Sequence, residues 1–512
     1  MGLEDELRPI FKALSNGQAA QVEALGNRLL ADTPDDRRAF LLLLFARTWT
    51  NRLTSEPLPD LTPLQDQEGA PLAPSVKDAI YLFRTHLLKQ RRLNALDTLA
   101  ETLLTVANGN LETLKFITEL FNRAGNEQRV DEINCQIDET FSAECRDSAT
   151  KGVFDATRMS GIIGETAISF GCLTLLDRLG ASTFPVPQIL VPDDAPVANR
   201  CFLDYWRGHL EIVSQTASYS SPETRKPWRF CSWRLPNGTV RHHDDVLTYA
   251  LCRWEHQGNP PLMALKDRHI EACAPRALAL GLPEGAWHVC LHVREKGFHD
   301  DHTDLVSSDR NADIETYYPA IEEIVSRGGW VVRMGDRAMT PLPPMKGVID
   351  YPFSKAKSDE MDVYLTATAR FFLGTASGLF LVPTFFGVPV VITNQTPISQ
   401  RPYSSRDLFI FKRYQDMQNG KIIPLADACT PPIRGTKNAP FLRGLEVDVI
   451  DNTAEEIRAV TAEMLDRLEG KTIHNASEES LQERFNRLTG HDFGFPVPRL
   501  GSQFIQSIEG LF

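Results

Sequence analysis

Along the first 150 residues the apolar positions recur at spacings of three and four. ELRPIFKAL, AAQVEALGNRLL, RRAFLLLLFARTW, VKDAIYLFRTHLLKQRRLNALDTLAETLLTVA and LETLKFITELFNRAG each carry such a stripe, which predicts helix after helix. Asp36 and Asn110 stand where N-caps belong. Short antiparallel helix pairs are the expected result, loosely like tetratricopeptide hairpins, although no repeat period is clean enough to define that architecture. The stretch LTSEPLPDLTPLQDQEGAPLAP (53–74), rich in proline and polar residues, reads as a loop within this region.

The pattern changes near residue 151. RMSGIIGETAISFGCLTLLDRLG (158–180) predicts a glycine-bearing turn leading into a helix, while PQILVPDD (187–194) and HLEIVS (209–214) predict short buried strands. Residues 215–250 read as irregular. A second alternating region opens near 276, with strands expected at WHVCLHV (287–293), GWVVRMGD (329–336), GVIDYP (347–352), RFFLGT (370–375) and PVVITN (389–394). Helices are expected between them at 314–328, 359–369 and 377–387, and a later amphipathic helix at 452–470, capped by Asn452 or Thr453. Strand–helix alternation of this kind is what a nucleotide-binding, Rossmann-like layer requires. The expected division is an α-helical region 1–150, two α/β regions at 151–275 and 276–450, and C-terminal helices at 451–512.

Composition narrows the partners. With 512 residues the chain exceeds one ordinary core. A formal charge of −13 argues against a general nucleic-acid-binding surface, yet leaves room for a local basic pocket. The opening MGLEDE predicts neither a secretory nor a myristoylation signal. The richest apolar stretch, FFLGTASGLFLVPTFFGVPVVI (371–392), is interrupted by glycine and proline and reads as buried α/β structure rather than a membrane span. Nine cysteines without a CxxC pair fit a reducing, cytoplasmic location better than a disulfide framework or a zinc ribbon.

The candidate chemistry falls at predicted strand ends, where ligands of open α/β sheets bind. His292 and Arg294 follow one strand, Arg333, Gly335 and Asp336 end the next, and Gly374, Thr375, Ser377 and Gly378 link a third to its helix. The GTASG turn suits a diphosphate, because glycines admit close backbone approach and the following helix offers a positive end. A tight turn capped by Ser377 explains the motif equally well. Arg294 can grip phosphate oxygens with its fork; its ordinary alternative is a salt bridge to an acid such as Asp336. HVREKGFHDDHTD, starting at His292, holds three histidines and four acids, but its HDDH gives no fixed ligand spacing, so a solvated acidic loop is the better reading and no metal is expected. Gly161 and Gly164 form a second glycine loop, which places Glu165 as a candidate general base. An acid in a first helical turn is an equal reading on dipole grounds.

HVRE (292–295), RNADIETYYPAIEEI (310–324), GGWVVRMGD (328–336), IDYPFSKAKSDEMDVYL (349–365), FFLGTASGLFLVP (371–383) and FGVPVVITNQTP (386–397) form an ordered series. Over about residues 155–420 the series resembles a family of bacterial glycosyltransferases associated with surface polysaccharide and glycoconjugate loci. The resemblance implies a two-domain fold of the glycosyltransferase B type, with two Rossmann-like domains facing a cleft. More distantly, HVR is similar to the His-x-Arg motif of fucosyltransferases that use GDP-fucose without a metal. Carried onto this chain, that similarity implies Arg294 as diphosphate clamp, His292 as a cleft-lining partner, GTASG at the phosphates or ribose, and Arg333 and Asp336 bordering the nucleotide. Members of the family often have Gly-His at the first glycine loop, where this chain has Gly164-Glu165.

The expected function is transfer of a sugar from a nucleotide-sugar donor to a hydroxyl on a glycan, lipid-linked or protein acceptor, with Arg294 on the leaving diphosphate and Glu165 or Asp300 as base. No cofactor is expected beyond that co-substrate. A protein partner for the helical region is a further expectation. A non-catalytic scaffold carrying a degenerate nucleotide-binding part, and a sugar-nucleotide epimerase, are the competing classes.

Overall fold

The computed structural model describes the chain except for residues 1–2, 57, 59, 68, 147–152, 183–185, 187, 215–224, 228–231, 236–239, 298–304 and 473. The chain forms two compact units. The first comprises Met1–Glu144 with Phe230–His242 and Thr430–Pro432, and the second takes the remainder.

The first unit is helical up to residue 144, as its periodicity predicts. Helices Arg37–Trp49 and Leu111–Ala124 begin where Asp36 and Asn110 cap them, each side chain accepting a backbone N–H (Arg38 and Thr113). Gly125 ends the latter in a left-handed conformation. Phe45 and Phe83 stack at 4.2 Å in the core.

The second unit is mixed α/β. Its smaller sheet holds β1 (Val153–Asp155), β2 (Gln188–Leu190), β3 (Ile212–Val213) and β4 (Arg225–Pro227), all parallel, in the order β3-β2-β1-β4. The described residues within 215–250 are more regular than expected. Besides β4 they supply a hairpin, β5 (Ser232–Arg234) with β6 (Val240–His242), which belongs to the first unit. They also begin the helix His243–His256. That helix buries Val246, Leu247, Ala250 and Leu251, a helical stripe that the polar RHHDD at its start conceals.

The larger sheet contains β7 (His288–His292), β8 (Trp330–Arg333), β9 (Val348–Asp350), β10 (Phe371–Thr375), β11 (Val390–Gln395) and β12 (Leu408–Phe411). A separate antiparallel pair, β13 (Arg413–Asp416) and β14 (Val447–Ile450), follows, and β15 (Arg499–Leu500) closes the large sheet. Its seven strands are parallel throughout, ordered β15-β12-β11-β10-β7-β8-β9. Numbered within the sheet this is the doubly wound order 3-2-1-4-5-6-7, whose direction reverses between β7 and β10. The small sheet repeats the 3-2-1-4 part.

Local chemistry adjusts two of the expected helices. Residues 314–328 start as a 3₁₀ turn, Ile314–Tyr317, before the α-helix Tyr318–Ser326 with its early proline. The segment after GTASG divides into a 3₁₀ turn, Gly378–Phe380, and the short helix Leu381–Phe385. The late helix Ala454–Leu468 carries a full capping box between Thr453 and Glu456. Among the described residues no helix is long and apolar enough to cross a membrane.

Gly374 sets the spacing at the reversal point. It pairs with His292 across β10 and β7, and a Cβ there would stand 2.0 Å from the His292 carbonyl oxygen. Backbone has no rotamer to move aside, so any larger residue must spread the two central strands. Gly374→Ala is therefore expected to cost about 3 kcal/mol or more, read as a lower midpoint of denaturant unfolding. A wild-type midpoint would mean that this strand contact yields easily.

Candidate functional site

The two motifs on either side of the reversal point converge. β7 runs out into His292, Val293 and Arg294; β10 runs out into Thr375, Ala376, Ser377 and Gly378. The Arg294 N–H donates to the Thr375 hydroxyl at 2.9 Å, and the Ser377 hydroxyl lies 3.1 Å from His292 Nδ1. The turn and the HVR segment are thus bonded into one frame, and Ser377 makes no capping bond to its own turn.

The first glycine loop arrives from the other sheet. After β1 the chain makes a 3₁₀ turn, Met159–Gly161, and enters the helix Ile163–Arg178, with Glu165 in its first turn. Gly164 and Gly378 touch backbone to backbone. A Cβ on Gly378 would lie 2.7 Å from the Gly164 nitrogen, and one on Gly164 2.9 Å from the Gly378 Cα. The glycines of the two loops are therefore required by each other. The sequence suggests instead that the GTASG glycines cradle an anion at a helix start; here that helix, Leu381–Phe385, is short and Gly378 packs against Gly164.

The basic residues divide by what they touch. Arg294, 8% exposed, donates to the Ser307 carbonyl and the Asn311 side-chain oxygen through Nη1 and to the Ser307 hydroxyl through Nη2. Its fork is thus engaged by the segment 307–311 and not by Asp336, the acid suggested by sequence. Arg333 is fully buried and bonds Glu295 at 2.7 Å, Asp350 at 3.1 Å and the Thr340 carbonyl at 2.7 Å. A cation in that setting fixes the loop beyond β8, because Glu295 also accepts from the Thr340 N–H and Asp350 from the Leu342 N–H. That is a structural use, unlike the nucleotide-bordering place the resemblance implies. Gly335 and Asp336 end this strand; Asp336 is exposed and accepts from the Ala338 N–H. Asp300 and the HDDHTD run lie outside the described residues.

Sequence reasoning gave no role to Arg310. It sits in the 3₁₀ turn Ser308–Arg310 and donates through Nε and Nη2 to the carbonyl of Ala376, inside the GTASG turn. Burial first, then the neighbouring Arg294, pushes its pKa down to about 10, while Tyr403 and Glu165 act in the opposite sense. Glu165 of the first loop thus lies within electrostatic reach of Arg310. The available signal was that RNAD opens a block of the ordered series; nothing in it pointed to the cleft.

His292 carries no charge near neutral pH. Burial, then Arg333, Arg294 and Lys357, bring its pKa down to about 4. It can accept or donate a hydrogen bond, as it does with the Ser377 hydroxyl, without adding a cation. Comparison with family models, curated proteins and solved structures finds no match.

Two outcomes are expected. Because folded His292 binds its proton only near pH 4 while an unfolded histidine binds it near 6.5, its contribution to stability is lost as pH falls from about 6.5 to 4. The melting-temperature gap between wild type and His292→Asn should narrow over that interval, and a constant gap refutes a neutral His292. Glu295→Ala leaves Arg333 buried with one carboxylate fewer and should cost about 3–5 kcal/mol in denaturant unfolding.

Proposed function

We propose that the second unit is a glycosyltransferase, moving a sugar from a nucleotide-sugar donor to a hydroxyl of a glycan, lipid-linked or protein acceptor on a two-sheet architecture of the B type. One observation carries the reading: two parallel sheets of the same strand order bring the loop after β1 and the loop after β10 into contact beside His292, Arg294 and Arg310. Open sheets of this order take ligands at the reversal point, beyond the strand carboxyl ends.

The larger sheet is the donor side. His292, Thr375 and Ser377 form its hydrogen-bonded frame, and the arginines supply positive charge where a diphosphate leaves. Gly161, Gly164 and Glu165 form the acceptor side. In the proposed step the acceptor oxygen bonds the anomeric carbon as the bond from that carbon to the diphosphate oxygen breaks. The diphosphate departs with the bonding electrons, and the acceptor proton passes to Glu165. In this reading arginine charge offsets the leaving diphosphate and the step uses no metal.

A nucleotide screen tests the class. Of GDP, UDP, ADP and CMP, at least one should raise the melting temperature, with about 2.7 kcal/mol of stabilisation at a hundredfold excess over its Kd. Silence from all four would return the chain to the scaffold class. A sugar nucleotide isomerised in the absence of acceptor would make it an epimerase.

A further inference from the structure

We infer that Arg310 is the residue that contacts the leaving diphosphate of the donor, and that Arg294 is a positioning residue that fixes the segment carrying Arg310. The inference rests on the proposed donor site and assigns its anion contact to a residue that motif reading passes over.

The cations around the end of β7 can be sorted by their partners. Arg333 is balanced by Glu295 and Asp350, Lys357 by Asp362, and Lys412 by Asp451 at 2.6 Å. Arg294 has committed both terminal nitrogens to Ser307 and Asn311. Arg310 differs from these. Its Nε and Nη2 share one acceptor, the Ala376 carbonyl, and among the described residues no carboxylate lies within ion-pairing distance and Nη1 has no hydrogen-bond acceptor. The residue is only partly covered, bonds Ala376 of the GTASG turn and lies within electrostatic reach of Glu165 in the first glycine loop.

The backbone on both sides of Arg310 is held. Arg294 grips Ser307 and the Asn311 side chain, and its own carbonyl accepts the Ala312 N–H at 3.1 Å. Lys412, itself buried, donates to the Asn311 carbonyl at 2.7 Å. Arg443 reaches Asp309 at 3.4 Å. So the 307–312 segment is anchored at Ser307, Asp309, Asn311 and Ala312 while one guanidinium edge is left for a ligand. Two adjacent arginines, the second without a carboxylate, raise each other's energy, and an arriving anion removes that repulsion. A diphosphate fits best because its several oxygens can accept from Nη1 and offset both guanidiniums at once.

The test uses the full chain and calorimetric titration with inorganic pyrophosphate, and with the best-stabilising nucleoside diphosphate alongside its nucleoside. Arg310→Gln keeps an N–H for the Ala376 carbonyl and removes the charge. It should weaken pyrophosphate and diphosphate binding roughly 10- to 100-fold, leave nucleoside binding alone, and flatten the salt dependence of affinity. Its ligand-free melting temperature should equal or exceed wild type, and Arg310→Lys should regain part of the affinity. Arg294→Gln should lower the ligand-free melting temperature as well as the affinity. Wild-type diphosphate affinity in Arg310→Gln overturns the inference, as does a selective loss of diphosphate binding in Arg294→Gln at unchanged stability. Pyrophosphate binding that depends on Arg310, with no nucleotide bound, upholds the anion contact and removes the glycosyltransferase reading. A wild-type chain that binds neither removes both.

Discussion

The contact between Gly164 and Gly378 is the constraint on which the approach of the two sheets depends. Each glycine belongs to the loop that follows a central strand, β1 in one sheet and β10 in the other, and neither loop has room for a Cβ at that point. Side chains at such a junction would hold the sheets apart by their own bulk; backbone against backbone brings the two strand ends as near as covalent geometry permits. Other bonds brace the same approach. Asn199 and the Arg200 N–H bond Asp359, and the His269 ring links Tyr205 to the Glu360 carbonyl. Both sheets belong to the second compact unit, and these bonds join them along a polar seam.

Within that seam, charge is distributed unevenly. His292 is neutral, Arg333 is balanced by Glu295 and Asp350, and Arg294 is spent on a loop, while Arg310 feels Arg294 on one side and Tyr403 and Glu165 on the other. Desolvation is the largest influence on Arg310 and disfavours its charged form. The same low-dielectric setting that depresses the basicity of Arg310 strengthens its attraction for an anion.

How much of this was legible varies with the range of the interaction. Caps at Asp36, Asn110 and Thr453 depend on neighbours a few residues away; sequence finds the first two directly and narrows the third to Asn452 or Thr453. The strands β7, β10 and β11 each hold a short apolar run, VCL, FFL and VVI, as parallel strands covered on both faces do. Strand order was not legible, since nothing local tells β10 to lie beside β7 rather than β9. The meaning of the glycines was hidden for the same reason: Gly374 answers to His292, and Gly378 to Gly164, across long separations in the chain. Arg294 and Arg333 were visible as arginines at strand ends, but only tertiary structure assigns their forks to Ser307 and Asn311, and to Glu295 and Asp350. Arg310 went unnoticed because no predicted strand ends at it.

The order of the large sheet also bears on how the chain reaches this state. β12 is the sequence LFIF, wholly buried, and one of its edges is covered by β15, only two residues long and far downstream. Closing so distant a pair is entropically slow, whereas β10, β11 and β12 are near neighbours in sequence. An intermediate with β12 in place and β15 still absent would present an uncharged apolar strand edge of the kind that recruits other chains. The short strand at residues 499–500 covers, in the folded chain, the edge that such pairing would use.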